Sequence, residues 1–179
     1  MSSTKKITLS SMFIALGIIL PFFTGQLQQF GNMLLPMHLP VFLCSLICGW
    51  KYGMVIGFIL PFLRFELFGM PILYPIGIAM AFELATYGFV AGFVYEKQNW
   101  KCIKSLYKSI IIAMIVGRLV WGLVEVVLLG LGDNGFTLSL FITQAILNSI
   151  PGIILQLALI PSIMLVLHRT KLMPIKKSL

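Results

Sequence analysis

The stretch LPFLRFELFGMPILYP, residues Leu60 to Pro75, sets two charged side chains, Arg64 and Glu66, inside otherwise apolar sequence. An apolar run leads into it and another leads away. A charge at the edge of a membrane core is costly unless it faces water, a partner or a ligand. The stretch therefore reads as the outer end of one membrane helix, a tight turn at Gly69-Met70-Pro71, and the start of the next helix.

Composition supports this reading. Of the 179 residues, 59% are hydrophobic and 10% are charged, and mean hydropathy is +1.03. Soluble domains carry roughly 25% charged residues. A membrane helix needs about 20 apolar residues. The chain thus accommodates six spans with short loops, and residues 1–179 are expected to form a single transmembrane domain with no soluble domain beside it. The expected class is an all-α integral membrane protein with six transmembrane helices.

Working outward from Leu60–Pro75, the pattern predicts helix 1 over Ile7–Phe22 and an amide-rich outer loop with Gln26, Gln28, Gln29 and Asn32. Helix 2 is predicted over Pro36–Trp50. It is short for a full span, which fits a helix that begins inside a protein-lined cavity. A turn is predicted at Lys51–Tyr52, then helix 3 over Gly53–Phe68, helix 4 over Tyr74–Tyr95, and a basic loop from Glu96 to Lys108. Helix 5 is predicted over Ser109–Leu131 and helix 6 over Leu138–Leu167, with kinks at Pro151 and Pro161. Pro21 is followed by Phe-Phe-Thr-Gly, which lacks a small-residue cleavage site, so helix 1 is expected to be retained.

With six helices, Lys5, Lys6, Lys51, Lys97, Lys101, Lys104, Lys108, Arg169, Lys171, Lys176 and Lys177 all fall on one side. The positive-inside rule makes that side the cytoplasm and puts both termini there. The net charge of +8 is then a topology signal, and no nucleic-acid partner is expected. Arg64 and Arg118 alone break the pattern.

The buried charges are Arg64, Glu66, Glu83, Arg118 and Glu125. Counted at about 1.5 Å per residue, Glu83 on helix 4 and Arg118 on helix 5 both fall near the bilayer centre. They can neutralise one another as a structural ion pair, or brace a polar cavity that opens outward. Glu125 lies two turns above Arg118 on nearly the same face. Tyr74, Trp121, Gln144 and Asn148 add aromatic and amide groups on the outer half. A few placed polar groups among apolar and aromatic ones are what small-molecule sites use. These nine residues are the candidate substrate-binding set.

Several chemistries are not available. The histidines, His38 and His168, are expected on opposite sides, and Asp133 is the only aspartate. No Ser-His dyad, aspartyl pair or zinc-protease helix can be assembled. No nucleotide-binding glycine loop is present. Cys44, Cys48 and Cys102 are too scattered for a disulfide framework or zinc site. An enzyme is not expected, nor a resident cofactor or metal, and ATP, if used, must be hydrolysed by a partner. Small residues four apart, at Gly53/Gly57, Gly88/Gly92 and Ser11/Ala15, read as close helix packing or as a docking face.

The chain resembles the substrate-binding S-components of energy-coupling factor (ECF) vitamin transporters. The resemblance rests on Met33-Leu-Leu-Pro-Met-His-Leu-Pro40 leading into Cys48-Gly-Trp50, on Leu63-Arg-Phe-Glu-Leu-Phe-Gly-Met-Pro71, and on Ala79-Met-Ala-Phe-Glu-Leu-Ala-Thr-Tyr-Gly88. It implies a high-affinity vitamin-binding subunit in a bacterial plasma membrane. Its implied partners are a coupling transmembrane protein and two cytoplasmic ATPases. It also implies docking through a small-xxx-small pattern on helix 1, usually Ala-xxx-Ala and here Ser11 and Ala15. Pantothenate leads among the vitamins because an arginine can hold its carboxylate. Riboflavin, a pyridoxine-like compound and α-ribazole stay open. The alternative is a stand-alone proton-coupled secondary transporter with Glu83, Arg118 and Glu125 as its relay.

Overall fold

A computed structural model describes residues 2–24, 36–98, 102–130, 143 and 149–169. Among the described residues there are six α-helices and no strand. They are α1 (Ser3–Thr24), α2 (His38–Cys48), α3 (Trp50–Phe68), α4 (Ile78–Lys97), α5 (Ile103–Leu129) and α6 (Ile150–Arg169). A single π-helical turn, Leu73–Gly77, leads into α4.

Four segments among the described residues are long and apolar enough to cross a membrane: Ser3–Pro21, Leu73–Lys97, Ile103–Leu129 and Ile150–Leu167. Six full spans were expected. The helix α2 has 11 residues, about 16 Å, or half of a bilayer core of about 30 Å. Most of its residues are buried by surrounding protein. The helix α3 has 19 residues but carries Lys51, Arg64 and Glu66, which lower its hydropathy.

Two boundaries move for local reasons. The turn expected at Lys51–Tyr52 is the single residue Gly49, whose φ of 107° is open to glycine and closed to most side chains. Its N–H donates to the Ser45 carbonyl and closes α2, and Trp50 already begins α3. The basic loop expected up to Lys108 ends by Cys102, because Lys104 and Lys108 lie in the first turns of α5. Most of the predicted outer loop 23–33, and all of the turn at 132–135, lie outside the described residues. So does most of the N-terminal half of predicted helix 6.

The helix α4 is the centre of the bundle. It packs against α3 on one side and α5 on another, and also touches α2. The α3–α4 approach is backbone against backbone. A Cβ at Gly88 would fall on the main chain of Gly53, and one at Gly57 on the main chain of Leu84. The glycine spacings on these two helices therefore serve internal packing. The core contains Phe42, Leu60, Leu84, Tyr87, Ile110 and Ile160. Outside, α5 presents Ile111, Ile115, Leu119, Leu123 and Val127 at every fourth position, all exposed. An apolar stripe of that length suits acyl chains and would be an aggregation hazard in water.

Candidate functional site

The polar centre of the molecule is built where α4, α5 and the start of α2 meet. Glu83 on α4 and Arg118 on α5 form an ion pair, with Arg118 Nη1 3.0 Å from Glu83 Oε1 and side chains 3% and 15% exposed. The ion pair, one of the two alternatives that their expected common depth allowed, is present. Tyr87, one turn along α4, donates its hydroxyl to the same Glu83 oxygen at 2.7 Å. His38, the first residue of α2, places Nε2 3.9 Å from that oxygen. One carboxylate thus gathers a guanidinium, a phenol and an imidazole.

Packing locks this cluster. The Tyr87 ring stacks on Phe42 at 5.2 Å between centroids and meets His38 at the same separation. On its other side lies Gly117 of α5, where any Cβ would run into the Tyr87 ring. The residue before Arg118 is thereby small so that the tyrosine can reach Glu83. Burying a charge is tolerable only with such a set of partners.

Arg118 is not fully used by this arrangement. Its Nε and Nη2 atoms are buried and have no hydrogen-bond partner among the described residues. Toward the C-terminal end of α5, Trp121 is buried against Ala79 of α4. One turn further, Glu125 is 3% exposed. Among the described residues no ion pair or hydrogen bond engages its carboxylate. Arg118, Trp121 and Glu125 share the buried face of α5.

The remaining candidates fall elsewhere. Arg64 reaches the carbonyls of Met70 and Ile18, each at 3.5 Å, and lies over the Phe68 ring. It ties the end of α3 to the following turn and to α1. Glu66 is exposed. Tyr74 is exposed and donates its hydroxyl to the Leu128 carbonyl, pinning the π-turn to the end of α5. No hydrogen bond or ion pair joins these three to Glu83 or Arg118 among the described residues. Gln144 and Asn148 lie outside the described residues. Ser11 and Ala15 are exposed on α1, beside Met12, Leu16 and Ile19.

Sequence reasoning missed Tyr87 and His38 as partners of Glu83. The i, i+4 spacing of Glu83 and Tyr87 was a usable signal, since such residues are neighbours on a helix. The depth of His38 was hidden by the shortness of α2. Gln156 on α6 is a further buried amide outside the candidate set. Among the described residues no three His, Cys, Asp or Glu side chains gather to hold a metal ion.

Four apolar helices of membrane-spanning length, packed around a buried charge cluster, mark a membrane protein. The family model for the substrate-specific component of ECF transporters matches residues 5–166, so the chain belongs to that family. It is a transporter subunit and not an enzyme. Searches of curated proteins and of solved structures find no match to the chain.

Proposed function

We propose that this chain is the vitamin-binding subunit of an ATP-driven importer in a bacterial plasma membrane, with pantothenate as the first candidate ligand. The observation that carries the reading is the Glu83–Arg118 pair, buried beneath Trp121 and Glu125 in a chain of this family. Two further buried donors on Arg118 have no partner among the described residues, and a bound ligand would satisfy them. Within this proposal Arg118, Trp121 and Glu125 face the ligand, and Glu83 holds Arg118 in place. Gln144 and Asn148 contribute amides to the ligand, and Arg64, Glu66 and Tyr74 stand at the outer mouth.

The coupling partners are a membrane coupling protein and two ATPases on the cytoplasmic side, where the lysines and both termini lie. Docking uses the exposed α1 face around Ser11 and Ala15, and anionic lipid surrounds the basic rim. The test is equilibrium binding of vitamins to the purified chain in nanodiscs, followed by uptake in vesicles with and without the coupling module and ATP. Tight binding with uptake that needs the module supports the reading. Uptake that ignores the module and collapses with an ionophore supports the proton-coupled alternative.

A further inference from the structure

Arginine offers two forks for a planar anion. One joins its two terminal nitrogens, and the other joins Nε–H to the adjacent Nη2–H along the side of the guanidinium. In this structure Nη1 goes to Glu83. What is left is the complete side fork, both of its nitrogens buried and without a hydrogen-bond partner among the described residues. Two parallel N–H groups in that spacing match the two oxygens of a carboxylate. Glu125 is the second group: it is 3% exposed and has no ion pair or hydrogen bond among the described residues. It lies seven residues further along the same buried face, about 10 Å away along the helix axis, with Trp121 between them. A buried carboxylate there is matched by an N–H or O–H donor.

From these two groups we infer the polarity of the ligand: a carboxylate at its deep end, held by the Nε/Nη2 edge of Arg118, and a hydrogen-bond donor about 10 Å outward, held by Glu125. This rests on the reading of the chain as a vitamin-binding subunit and adds the ligand's chemical class and orientation. Glu83 is a positioning residue, because it occupies Nη1 and turns the other edge of Arg118 to the ligand. A ligand lacking the carboxylate leaves both buried donors unmatched, which makes the site selective against its neutral analogue.

The test measures binding to the full chain in nanodiscs for matched acid and neutral pairs: pantothenate and panthenol, nicotinate and nicotinamide, biotin and its amide. Riboflavin and pyridoxine serve as vitamins without a carboxylate. In at least one pair the acid is expected to bind about 100-fold or more tighter than its partner, a difference of the size that unpaired buried groups produce. Arg118→Lys keeps the positive charge beside Glu83 but lacks the fork. It is expected to lose tenfold or more of the acid affinity, and Glu125→Gln a similar factor. The wild-type discrimination needs no variant, so a misfolded mutant does not rescue the idea. Equal binding of acid and neutral members contradicts the proposal, as does wild-type affinity in a folded Arg118→Lys. Binding of riboflavin or pyridoxine alone overturns the carboxylate assignment and leaves the vitamin-binding reading standing. Binding of no compound in the panel, with no molecule co-purifying, overturns both.

Discussion

Arg118 Nη1 and Glu83 Oε1 are 3.0 Å apart across the α4–α5 interface, in a part of the bundle where neither side chain has ready access to water. Removing one partner strands the other charge, at a cost of about 3–5 kcal/mol for a buried pair. Glu83→Ala is therefore expected to lower the melting temperature of the detergent-solubilised protein more than the Glu83→Gln/Arg118→Gln double variant does. Equal or smaller loss in the single variant contradicts a buried, mutually dependent pair.

Tyr87 gives Glu83 a hydrogen bond to a charged acceptor, a type that contributes about 1.5–3 kcal/mol. Tyr87→Phe keeps the stacking on Phe42 and removes only the hydroxyl. A modest fall in stability is expected, with a larger fall for Gly117→Val, whose side chain meets the Tyr87 ring. Thermal unfolding followed by intrinsic fluorescence reads both. Unchanged stability in Gly117→Val contradicts the packing described.

The extent to which the chain was legible beforehand follows from which forces were local. Apolar run lengths marked the helices, because the bilayer imposes that pattern on sequence. The Glu83–Arg118 pairing was one of two solutions the expected depth of the two charges offered, and the structure contains it. Tyr87 was not legible, because a tyrosine inside an apolar helix looks like core until its neighbour across the interface, Gly117, is known. His38 was hidden in the same way: α2 begins deep in the protein, and only its contact with Glu83 reveals that depth. Arg64 carried the same sequence signal as Arg118, yet its donors reach backbone carbonyls at the end of α3. Charge in an apolar run marks a constraint without saying whether main chain or side chain meets it.

The α3–α4 contact leaves no room for side chains at Gly57 and Gly88. Gly88→Leu is expected to separate the helices and abolish stable expression, an overpacking effect of at least about 1–3 kcal/mol. Gly69→Ala is the control, since nothing lies near a Cβ there, although its φ of 66° brings some strain. Size-exclusion profiles of the two variants check this, and a monodisperse Gly88→Leu protein would argue against the close approach.

Cys102 is exposed just before α5, whereas Cys44 and Cys48 are buried. The backbone N–H of Ser105, followed by its hydroxyl, holds the Cys102 thiol below the usual cysteine range. Its thiolate therefore persists to lower pH than that of a free cysteine and is lost as pH falls through the lowered value. A membrane-impermeant maleimide is expected to label this one position, from the cytoplasmic side only, with a rate that holds up below pH 8.5 better than that of a model thiol. Labelling from the outside contradicts the proposed orientation.

On the exposed face of α1, Ser11→Trp or Ala15→Trp is expected to stop uptake while leaving ligand affinity within about twofold. Binding in nanodiscs and transport in vesicles are measured on the same preparation. Loss of binding with assembly intact contradicts a docking role for this face.

The most direct measurement is native mass spectrometry of the purified full chain, followed by release in denaturant and identification of what is set free. The account predicts one small organic acid per chain, lost from Arg118→Gln. Protein that carries no small molecule, and is not stabilised by any vitamin carboxylate added to it, contradicts it.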